Sequence, residues 1–368
     1  MTGTREPRIA VDARPLSHPG TGIYRYTHEL LTRMCARGGD WYLYSPQDYD
    51  DGQFTRDNIT HRKLSVSGWL GGSQASQLLY PRWLRRDAID VFWGPRHHLP
   101  LVMPSGVHSV LTVHDLVWRQ QPGSMRWSRR TMERLLMPRS LRQADRVVTV
   151  SHCVAAEVAE AFPQSASKLS VIPSAASLQT GRADDANLAA GNYFLFVGTM
   201  EPRKNLAGLL AAYKRYVARC EDAKYLKLAG GAGWGGVDPY SLVNDYGLAE
   251  RVEVLGKVSD EDLSNLYAGA YALVMPSFYE GFGLPVIEAL AHGTPALVSR
   301  DTALAEVAGD AGYRVNPCSE QRISEGLYRL HIDGSLYQQL QGRAFARAAE
   351  FSWDRAAADL YALLLNQR

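Results

Sequence analysis

The chain has 368 residues, 46% of them hydrophobic and 21% charged, which indicates a globular protein long enough for two domains. Its 40 Lys and Arg nearly balance 38 Asp and Glu, so no strong electrostatic field favours nucleic acid as a partner. The four cysteines form no Cys-x-x-Cys pair and no run of about 18 apolar residues occurs, so we expect a cytoplasmic protein without a disulfide framework, a zinc site or a membrane-spanning helix.

The first half of the chain has the pattern of an α/β domain, in which short β-rich runs alternate with stretches of helical periodicity. We predict strands at 8–12, 41–44, 91–93, 109–113, 146–150 and 169–172, and helices at 22–37, 126–143 and 152–162. Residues 1–175 are therefore expected to form a Rossmann-like domain. Residues 176–192 lack periodicity and are interpreted as a linker.

The second half repeats this alternation over residues 193–350. We predict strands at 193–197, 225–229, 252–255, 272–275 and 296–299, and helices at 206–220, 260–268 and 285–292. Strands that alternate with helices form parallel sheets, because each crossover needs a helix to return the chain to the same edge. The expected fold is α/β, with two Rossmann-like domains whose parallel sheets face each other across a cleft, and ligands bind beyond the carboxyl ends of such strands.

Several polar residues follow strands of the first domain. His114 ends a strand and is directed towards the cleft, or is satisfied by local backbone; Asp115 either orients it or caps the next segment. Arg14 is a candidate ligand-binding residue or a surface-loop cation. The adjacent His97 and His98 lack a third metal ligand and are interpreted as residues of a binding loop, not as a metal site.

In the second domain, Arg203 and Lys204 lie between a strand and a helix for which Asn205 is a suitable N-cap. An Arg fork and a Lys point charge together suit a diphosphate leaving group, which gains negative charge as it departs. The alternative is a solvated basic pair on a loop.

A second motif, residues 279–288, strengthens the first interpretation. Gly281 and Gly283 allow close backbone approach to a ligand, and Pro285 suits the first position of a helix whose N-terminus can bind phosphate. Glu288, one turn into that helix, could accept both ribose hydroxyls of a nucleotide, and Glu280 would face the sugar. An ordinary turn with an acidic helix start is the alternative.

These two motifs, Glu-Pro-Arg-Lys-Asn and Glu-x7-Glu, resemble the retaining glycosyltransferases of family 4, a GT-B group that includes bacterial mannosyl- and rhamnosyltransferases of surface polysaccharides. The resemblance implies that Arg203 and Lys204 hold the donor diphosphate, that Glu280 contacts the transferred sugar and that Glu288 holds the ribose. It also implies that a helix at about 352–368 crosses back onto the first domain. The donor-binding residues that it implies are Thr21, Gly22, Thr199, Arg203, Lys204, Lys257, Val258, Glu280, Gly281, Phe282, Gly283, Leu284 and Glu288.

The resemblance implies a retaining hexosyltransferase, with front-face displacement assisted by His114, Glu280, Arg203 and Lys204. It favours GDP-mannose or GDP-rhamnose as donor and a glycan or lipid-linked saccharide as acceptor. The candidate acceptor-binding residues are then Arg14, His97, His98 and Asp115. A UDP-sugar-dependent transferase, a GT-B sugar-nucleotide epimerase and a non-catalytic nucleotide-sugar binding protein are the alternatives. We expect no cofactor and no metal, because Arg203 and Lys204 suffice to neutralise the leaving group. Two acidic segments could suggest a metal site, but residues 48–51 lie away from the Glu-x7-Glu half, and Ser259 as N-cap explains residues 260–262.

Basic and apolar residues are mixed between positions 118 and 146, a pattern typical of docking on an anionic bilayer. We therefore hypothesise peripheral contact with the inner face of the plasma membrane, the alternative being an Arg-covered helix packed on the sheet by its apolar face. The residues are Trp118, Arg119, Met125, Arg126, Trp127, Arg129, Arg130, Met132, Arg134, Leu135, Leu136, Met137, Arg139, Arg142 and Arg146, with a second group at Trp69, Leu70, Leu78, Leu79, Tyr80, Arg82, Trp83, Leu84, Arg85 and Arg86.

Overall fold

A computed structural model describes residues 6–50, 52–64, 72–178 and 191–366 of the chain. They form two compact units. Unit 1 comprises Met1–Leu116, Thr131–Ser174 and Ser352–Arg368, and unit 2 comprises Val117–Arg130 and Ala175–Phe351. Residues 179–190 of the expected linker lie outside the described residues.

Unit 1 is built on a seven-stranded parallel sheet with the order β3-β2-β1-β4-β5-β6-β7. The strand order reverses beside β1, so the segments that follow β1, β4 and β5 emerge at neighbouring positions of one sheet edge. The strands are β1 Arg8–Asp12, β2 Asp40–Ser45, β3 Ile59–Lys63, β4 Val91–Gly94, β5 His108–Val113, β6 Arg146–Thr149 and β7 Leu169–Val171.

Unit 2 contains a six-stranded parallel sheet with the order β10-β9-β8-β11-β12-β13. Here β8 pairs with β11, which places the segments after these two strands side by side. The strands are β8 Tyr193–Val197, β9 Tyr225–Ala229, β10 Val252–Gly256, β11 Ala272–Met275, β12 Ala296–Ser299 and β13 Gly312–Val315.

Helices follow most of the strands in both sheets. None of those in the described ranges is both long and apolar enough to cross a bilayer. They are α1 Gly22–Cys35, α2 Gly72–Arg86, α3 Val117–Gln120, α4 Trp127–Gln143, α5 His152–Ala161, α6 Leu206–Val217, α7 Pro239–Asp245, α8 Asp260–Gly269, α9 Leu284–Ala291, α10 Ala303–Ala308, α11 Glu320–Ile332, α12 Gly334–Ala349 and α13 Trp353–Leu365.

The central strands are continuous apolar runs because helices cover both faces of each sheet. In β8, Phe194, Leu195 and Phe196 are all fully buried, although consecutive side chains point to opposite faces. The expected α/β fold with two parallel sheets is confirmed. The edge strands β3 and β13 were not predicted, because half-exposed edges carry polar residues and lack this signal.

The C-terminal helix α13 belongs to unit 1, where it packs against α1. Ser352 caps its N-terminus by accepting a hydrogen bond from the amide of Arg355. The rings of Trp353 and the buried Tyr26 pack edge-on, with their centroids 5.9 Å apart. Arg33 forms an ion pair with Asp354 at 2.9 Å. The C-terminal helix is therefore part of unit 1, which also contains the N-terminal strands.

Candidate active site

The two donor motifs of unit 2 come together at the carboxyl ends of β8 and β11. Arg203 Nη1 lies 2.6 Å from Glu280 Oε2 and donates to the carbonyl of Tyr279 at 3.2 Å. Lys204 Nζ contacts the other oxygen of the same carboxylate. The amide of Phe278 donates to the carbonyl of Arg203 at 2.8 Å, so the two loops are joined through their backbones as well.

Burial sets the electrostatics of this cluster. Lys204 and Glu280 are only 6% and 7% exposed, so the alternative of a solvated basic pair is wrong. Burial alone would raise the pKa of Glu280, but Arg203 and Lys204 lower it to about 2. Burial lowers the pKa of Lys204, with Arg203 acting in the same direction and Glu280 against it. The Glu280 carboxylate therefore balances the charges of both Arg203 and Lys204.

A second carboxylate, Glu201, belongs to the cluster and was not assigned from the sequence. Its Oε2 accepts from Arg203 Nε at 2.9 Å, and its Oε1 accepts from the exposed Thr199 hydroxyl at 3.0 Å. The cluster thus contains two cations and two carboxylates. A diphosphate that bound Arg203 and Lys204 would compete with these carboxylates for the same N–H groups. The sequence feature that could have indicated Glu201 is its position in the Glu-Pro-Arg-Lys-Asn motif, two residues before Arg203.

Two glycines give the backbone its path through this site. Gly198, with φ of +151°, lies under the Lys204 side chain, where an added Cβ would be 3.3 Å from both Cε and Nζ. Gly283, with φ of +112°, precedes α9, where an added Cβ would be 2.5 Å from Leu304 Cδ2. Both positions therefore favour glycine through their backbone angle, and the second also through its close packing against Leu304.

Asn205 does not act as the expected side-chain N-cap. It precedes α6 in the left-handed conformation, with φ of +59°, and makes no side-chain capping bond. Its Nδ2 instead donates to the carbonyl of Pro276 at 3.0 Å and to that of Pro317 at 2.8 Å. The amide side chain is used to hold together the segments that follow β11 and β13.

Helix α9 begins one residue earlier than predicted, at Leu284, so Pro285 occupies its second position. Gly283 is the N-cap, and Phe282 packs its ring edge against Phe351 at 5.8 Å, while Gly281 is half-buried. Glu288 lies in α9 with only 2% of its surface exposed. The first amides of a helix have no partner within it, so this end of α9 can receive an anion.

The turn after β10 contributes the remaining candidates of unit 2. Lys257 is exposed and Val258 is half-buried. The carbonyl of Gly256 accepts from the amide of Gly230 at 2.7 Å, so this turn lies beside the turn that follows β9. Lys257 and Val258 therefore belong to the same edge of the sheet as the Arg203 cluster.

In unit 1, Arg14 follows β1 and is 4% exposed, so its interpretation as a surface-loop cation is wrong. Its Nε donates to Asp12 Oδ1 at 2.8 Å, and the Tyr80 hydroxyl donates to the same oxygen at 2.8 Å. Buried charges need partners, and Asp12 is the partner here. The following Thr21 caps α1, its hydroxyl accepting from the amide of Tyr24 at 3.2 Å, and Gly22 is the first residue of that helix.

His114 follows β5 and is held by the backbone of Pro95, which lies 19 residues away after β4, and not by the local backbone of its alternative interpretation. Its Nε2 lies 2.8 Å from the carbonyl of Pro95, and since a carbonyl only accepts, Nε2 carries a proton. Burial and the neighbouring His97 lower the pKa of His114 to about 4, so the ring is neutral at pH 7. Nδ1 is then its acceptor. Asp115 beside it is half-buried.

His97 and His98 converge on a buried carboxylate, Glu133 of α4, which was not assigned from the sequence. His98 Nε2 lies 2.9 Å and His97 Nδ1 3.5 Å from Glu133 Oε2, and the rings of His97 and His114 are 5.9 Å apart. Burial alone would raise the pKa of Glu133, but the two imidazoles hold it well below its usual range. No periodicity signals such a residue, because a carboxylate on a helix normally faces water.

Comparison with known proteins identifies the chain. Residues 20–179 match the model of Glycosyltransferase Family 4 and residues 182–347 match that of Glycosyl transferases group 1. The chain is 33% identical to the O-antigen chain mannosyltransferase B of Escherichia coli, over 94% of this chain and 96% of that protein. The chain belongs to glycosyltransferase family 4. The O-antigen chain mannosyltransferase RfbU of Salmonella typhimurium is 31% identical, over 85% of the glycosyltransferase and 88% of that relative.

Solved structures share the fold of this glycosyltransferase. Sucrose-phosphate synthase from Thermosynechococcus elongatus has a TM-score of 0.77 at 20% identity, covering 98% of each chain. WaaG, a glycosyltransferase involved in lipopolysaccharide biosynthesis, also has a TM-score of 0.77 at 15% identity, covering 98% of this chain and all of its own. The resemblance inferred from the two motifs is confirmed.

The acidic segments considered for a metal have other partners in the glycosyltransferase. The Ser259 hydroxyl accepts from the amide of Asp262 at 3.0 Å, so the expected N-cap of α8 is confirmed. Asp48 pairs with Lys63 at 3.2 Å, and Asp50 accepts from the amide of Gly52 at 3.0 Å, whereas Asp51 lies outside the described residues.

The basic and apolar segments of the glycosyltransferase are only partly exposed. Trp127 and Leu135 of α4 are exposed, whereas Met137 is buried. In the second group, Leu78 is exposed, but Tyr80 and Leu84 lie in the core and cannot meet a membrane. Trp69 and Leu70 lie outside the described residues. The buried side of α4 includes Glu133 and Ser140, so it is not the purely apolar face of the alternative interpretation.

Proposed function

We propose that this glycosyltransferase transfers mannose, with retention, from GDP-mannose to a saccharide or lipid-linked saccharide during surface polysaccharide synthesis. The buried cluster of Arg203, Lys204 and Glu280, beside the glycine-opened start of α9, carries the proposal, because it can bind a diphosphate as the leaving group forms. The similarity to two O-antigen chain mannosyltransferases supports mannose as the sugar. The relatives named above are transferases, which favours transfer over epimerisation.

In the proposed reaction, the donor C1–O bond lengthens while Arg203 and Lys204 stabilise the charge on the departing phosphate. The acceptor hydroxyl enters on the same face and gives its proton to the leaving phosphate oxygen, so the new glycosidic bond keeps the donor configuration. Glu280 and His114 orient the transferred sugar. Because His114 is neutral and its Nε2 proton is directed to Pro95, its Nδ1 would accept a hydrogen bond from a sugar hydroxyl.

The donor is tested by a thermal-shift screen of GDP, UDP, ADP and dTDP, followed by transfer from GDP-mannose and from UDP-glucose to extracted lipid-linked saccharide. We expect GDP to stabilise the protein most and GDP-mannose to be the better donor. NMR of the product anomeric proton reports retention. Preference for UDP-glucose, or an inverted product, would overturn the corresponding part of the proposal.

We propose that no metal ion is required, because Arg203, Lys204 and the N-terminus of α9 would together stabilise the charge of the proposed leaving group. Transfer rates should then be equal in EDTA and in Mn²⁺ or Mg²⁺. A loss of most activity in EDTA that Mn²⁺ restores would contradict this.

We further propose that unit 1 docks on the cytoplasmic face of an anionic membrane through a surface around residues 100–102. The backbone of Leu101 bonds to Gln77 of α2 at 2.6 Å and to Arg139 of α4 at 3.1 Å, which joins the two helices around this loop. The exposed apolar and basic side chains of this loop and of the two helices are Leu78, Arg82, Leu101, Val102, Arg134, Leu135, Arg139 and Arg142.

Such a surface combines apolar burial with roughly 1 kcal/mol of attraction per Arg near anionic lipid. Vesicle flotation tests it, with phosphatidylglycerol-containing vesicles against purely zwitterionic ones. We expect binding only to the anionic vesicles and its loss in Leu135→Glu. Ile332→Glu, at an exposed apolar residue of α11 in unit 2, is the matched control. No flotation of the wild type would exclude the contact.

A further inference from the structure

We infer that Tyr267 is the positioning residue of Glu288 and that its hydroxyl contributes to nucleotide affinity through the ribose. The inference rests on the proposed function, in which Glu288 receives the ribose hydroxyls. It adds a residue of α8, outside both sequence motifs, to the donor site.

The contact between the two side chains is direct. The Tyr267 hydroxyl donates to Glu288 Oε2 at 2.9 Å, with the tyrosine fully buried and Glu288 almost so. A carboxylate removed from water needs hydrogen-bond donors, and a bond to an ionised acceptor is stronger than one between neutral groups. An ionised carboxylate can only accept, so the phenol is the donor.

Tyr267 is itself held at two points. The Thr294 hydroxyl donates to the Tyr267 carbonyl at 2.6 Å, and the Tyr267 ring lies against the ring of His292, with centroids 5.6 Å apart. These contacts restrict the position of the Tyr267 phenol and keep its hydroxyl within hydrogen-bond distance of Glu288. The position of the hydroxyl is therefore set by packing between α8 and the residues that follow α9.

His292 fixes the backbone of the same glutamate. Its Nδ1 lies 2.7 Å from the Glu288 carbonyl, which only accepts, so Nδ1 carries a proton. In the neutral ring, Nε2 then accepts from the Ser264 hydroxyl of α8 at 2.7 Å. Glu288 is thus oriented through its main chain by His292 and through its side chain by Tyr267.

This arrangement suits a carboxylate that must receive two hydroxyls at once. A free glutamate side chain loses about 1.5 kcal/mol of rotamer entropy when it is fixed, and a side chain ordered in advance does not lose it on binding. An ionised carboxylate has about four acceptor positions, and the Tyr267 hydroxyl uses one of them, on Oε2.

Tyr267→Phe removes only the hydroxyl and keeps the ring that packs on His292. Tyr213→Phe is the matched control, because Tyr213 is also a fully buried tyrosine of unit 2, and its hydroxyl donates to the backbone carbonyl of Lys224 at 2.7 Å. The two variants should lower the unfolding midpoint by similar amounts. Only Tyr267→Phe should affect nucleotide binding.

Calorimetric titration with GDP and with 2′,3′-dideoxy-GDP separates positioning from general stability. We expect Tyr267→Phe to weaken GDP binding about tenfold and dideoxy-GDP binding less than twofold. Tyr213→Phe should change neither by more than twofold. In the double variant Tyr267→Phe with Glu288→Gln, GDP should bind no more weakly than in Glu288→Gln alone.

Three results would overturn the inference: unchanged GDP affinity in Tyr267→Phe, an equal loss for both ligands, or an equal loss in Tyr213→Phe. Failure of the proposed function looks different. A wild-type protein that binds neither GDP nor the UDP and ADP used as comparators would overturn the proposed donor site and, with it, the role of Tyr267. Equal wild-type affinity for GDP and its dideoxy analogue would overturn the ribose role of Glu288.

Discussion

At the scale of single residues, the charge balance around Arg203 is the main feature of the proposed donor site. Glu280 and Glu201 hold Arg203 and Lys204 in place at a buried position where unpaired cations would be costly. The same cations are those proposed to bind the diphosphate. The donor must compete with the two carboxylates when it binds, but cations that are already fixed in place need little reorganisation afterwards, when charge develops on the leaving group.

Lys204→Ala tests this role directly. Loss of the point charge beside the leaving phosphate should lower the transfer rate at least tenfold, about 1.4 kcal/mol in the activation free energy. Lys214→Ala, at an exposed lysine of α6, should keep the wild-type rate. The measurement is initial-rate transfer at saturating donor, with thermal unfolding of both variants as the check on folding. A wild-type rate in Lys204→Ala would contradict the assignment.

Glu280→Gln tests the electrostatics through acid stability. The pKa of Glu280 in the folded protein is about 2, below its ordinary 4.5, so its stabilisation is complete above about pH 4.5 and is lost as pH falls towards 2. The variant should lose about 3 kcal/mol at pH 7, because two buried cations lose a partner. Its unfolding free energy should then fall less steeply with acid than that of the wild type.

Urea unfolding at several pH values between 7 and 3 measures this. Glu320→Gln, at an exposed residue that pairs with Arg215 at 3.5 Å, is the control and should follow the wild-type curve. Parallel curves for Glu280→Gln and the wild type would show that Glu280 does not carry the acid sensitivity.

At the scale of elements, the site is made by the turns that leave β8 and β11, and their conformations depend on particular glycines. Gly283 combines a left-handed φ with close packing against Leu304 of α10. Any side chain there would be strained twice, by its backbone angle and by the missing space. The start of α9, where a phosphate would bind, is therefore fixed by the tertiary packing around it.

Gly283→Ala should lower the unfolding free energy by about 2 kcal/mol, from overpacking and backbone strain together. Gly342→Ala, inside α12 where an added Cβ would meet nothing within 4 Å, should stabilise the protein by up to about 1 kcal/mol. Thermal and urea unfolding of both variants report this. A neutral Gly283→Ala would mean that the turn can readjust.

At the scale of the whole molecule, the chain forms two units with separate sheets, and each unit is completed by a segment distant in sequence. Unit 1 is completed by α13, whose buried Leu360 and Leu364 are more than 170 residues after the last strand of its sheet, β7 Leu169–Val171. The separate cores lead us to expect separate responses to damage.

Truncation after Phe351 should therefore destabilise unit 1 and leave unit 2 intact. Removal of α13 exposes the apolar surface of α1 that it covers, including the Tyr26 ring. Scanning calorimetry should show a transition at lower temperature alongside one that GDP still shifts upwards. A single transition lowered as a whole would show that the two units unfold together.

Much of the fold and part of the site could be predicted from the pattern of residues. The apolar central strands, the helices that follow them, and the segments 198–205 and 279–288 at strand ends were visible, because each leaves a local signal of periodicity, capping or glycine placement. Parallel topology then places such strand ends at one edge of a sheet, which is why Arg203 and Glu280 could be expected to share a site.

Tertiary structure alone decided which partners these groups have. The side chain of Asn205 bonds to two distant carbonyls instead of capping α6, and Arg14 is buried against Asp12 instead of lying on the surface. Glu133 and Tyr267 are ordinary helix residues by sequence. In the structure, however, Glu133 contacts both His97 and His98, and Tyr267 donates a hydrogen bond to Glu288. Local sequence specifies backbone preference and apolar faces, whereas the burial of a polar group and, for Asn205, Glu133 and Tyr267, also its partner depend on residues tens of positions away, brought close only when the sheets and helices pack.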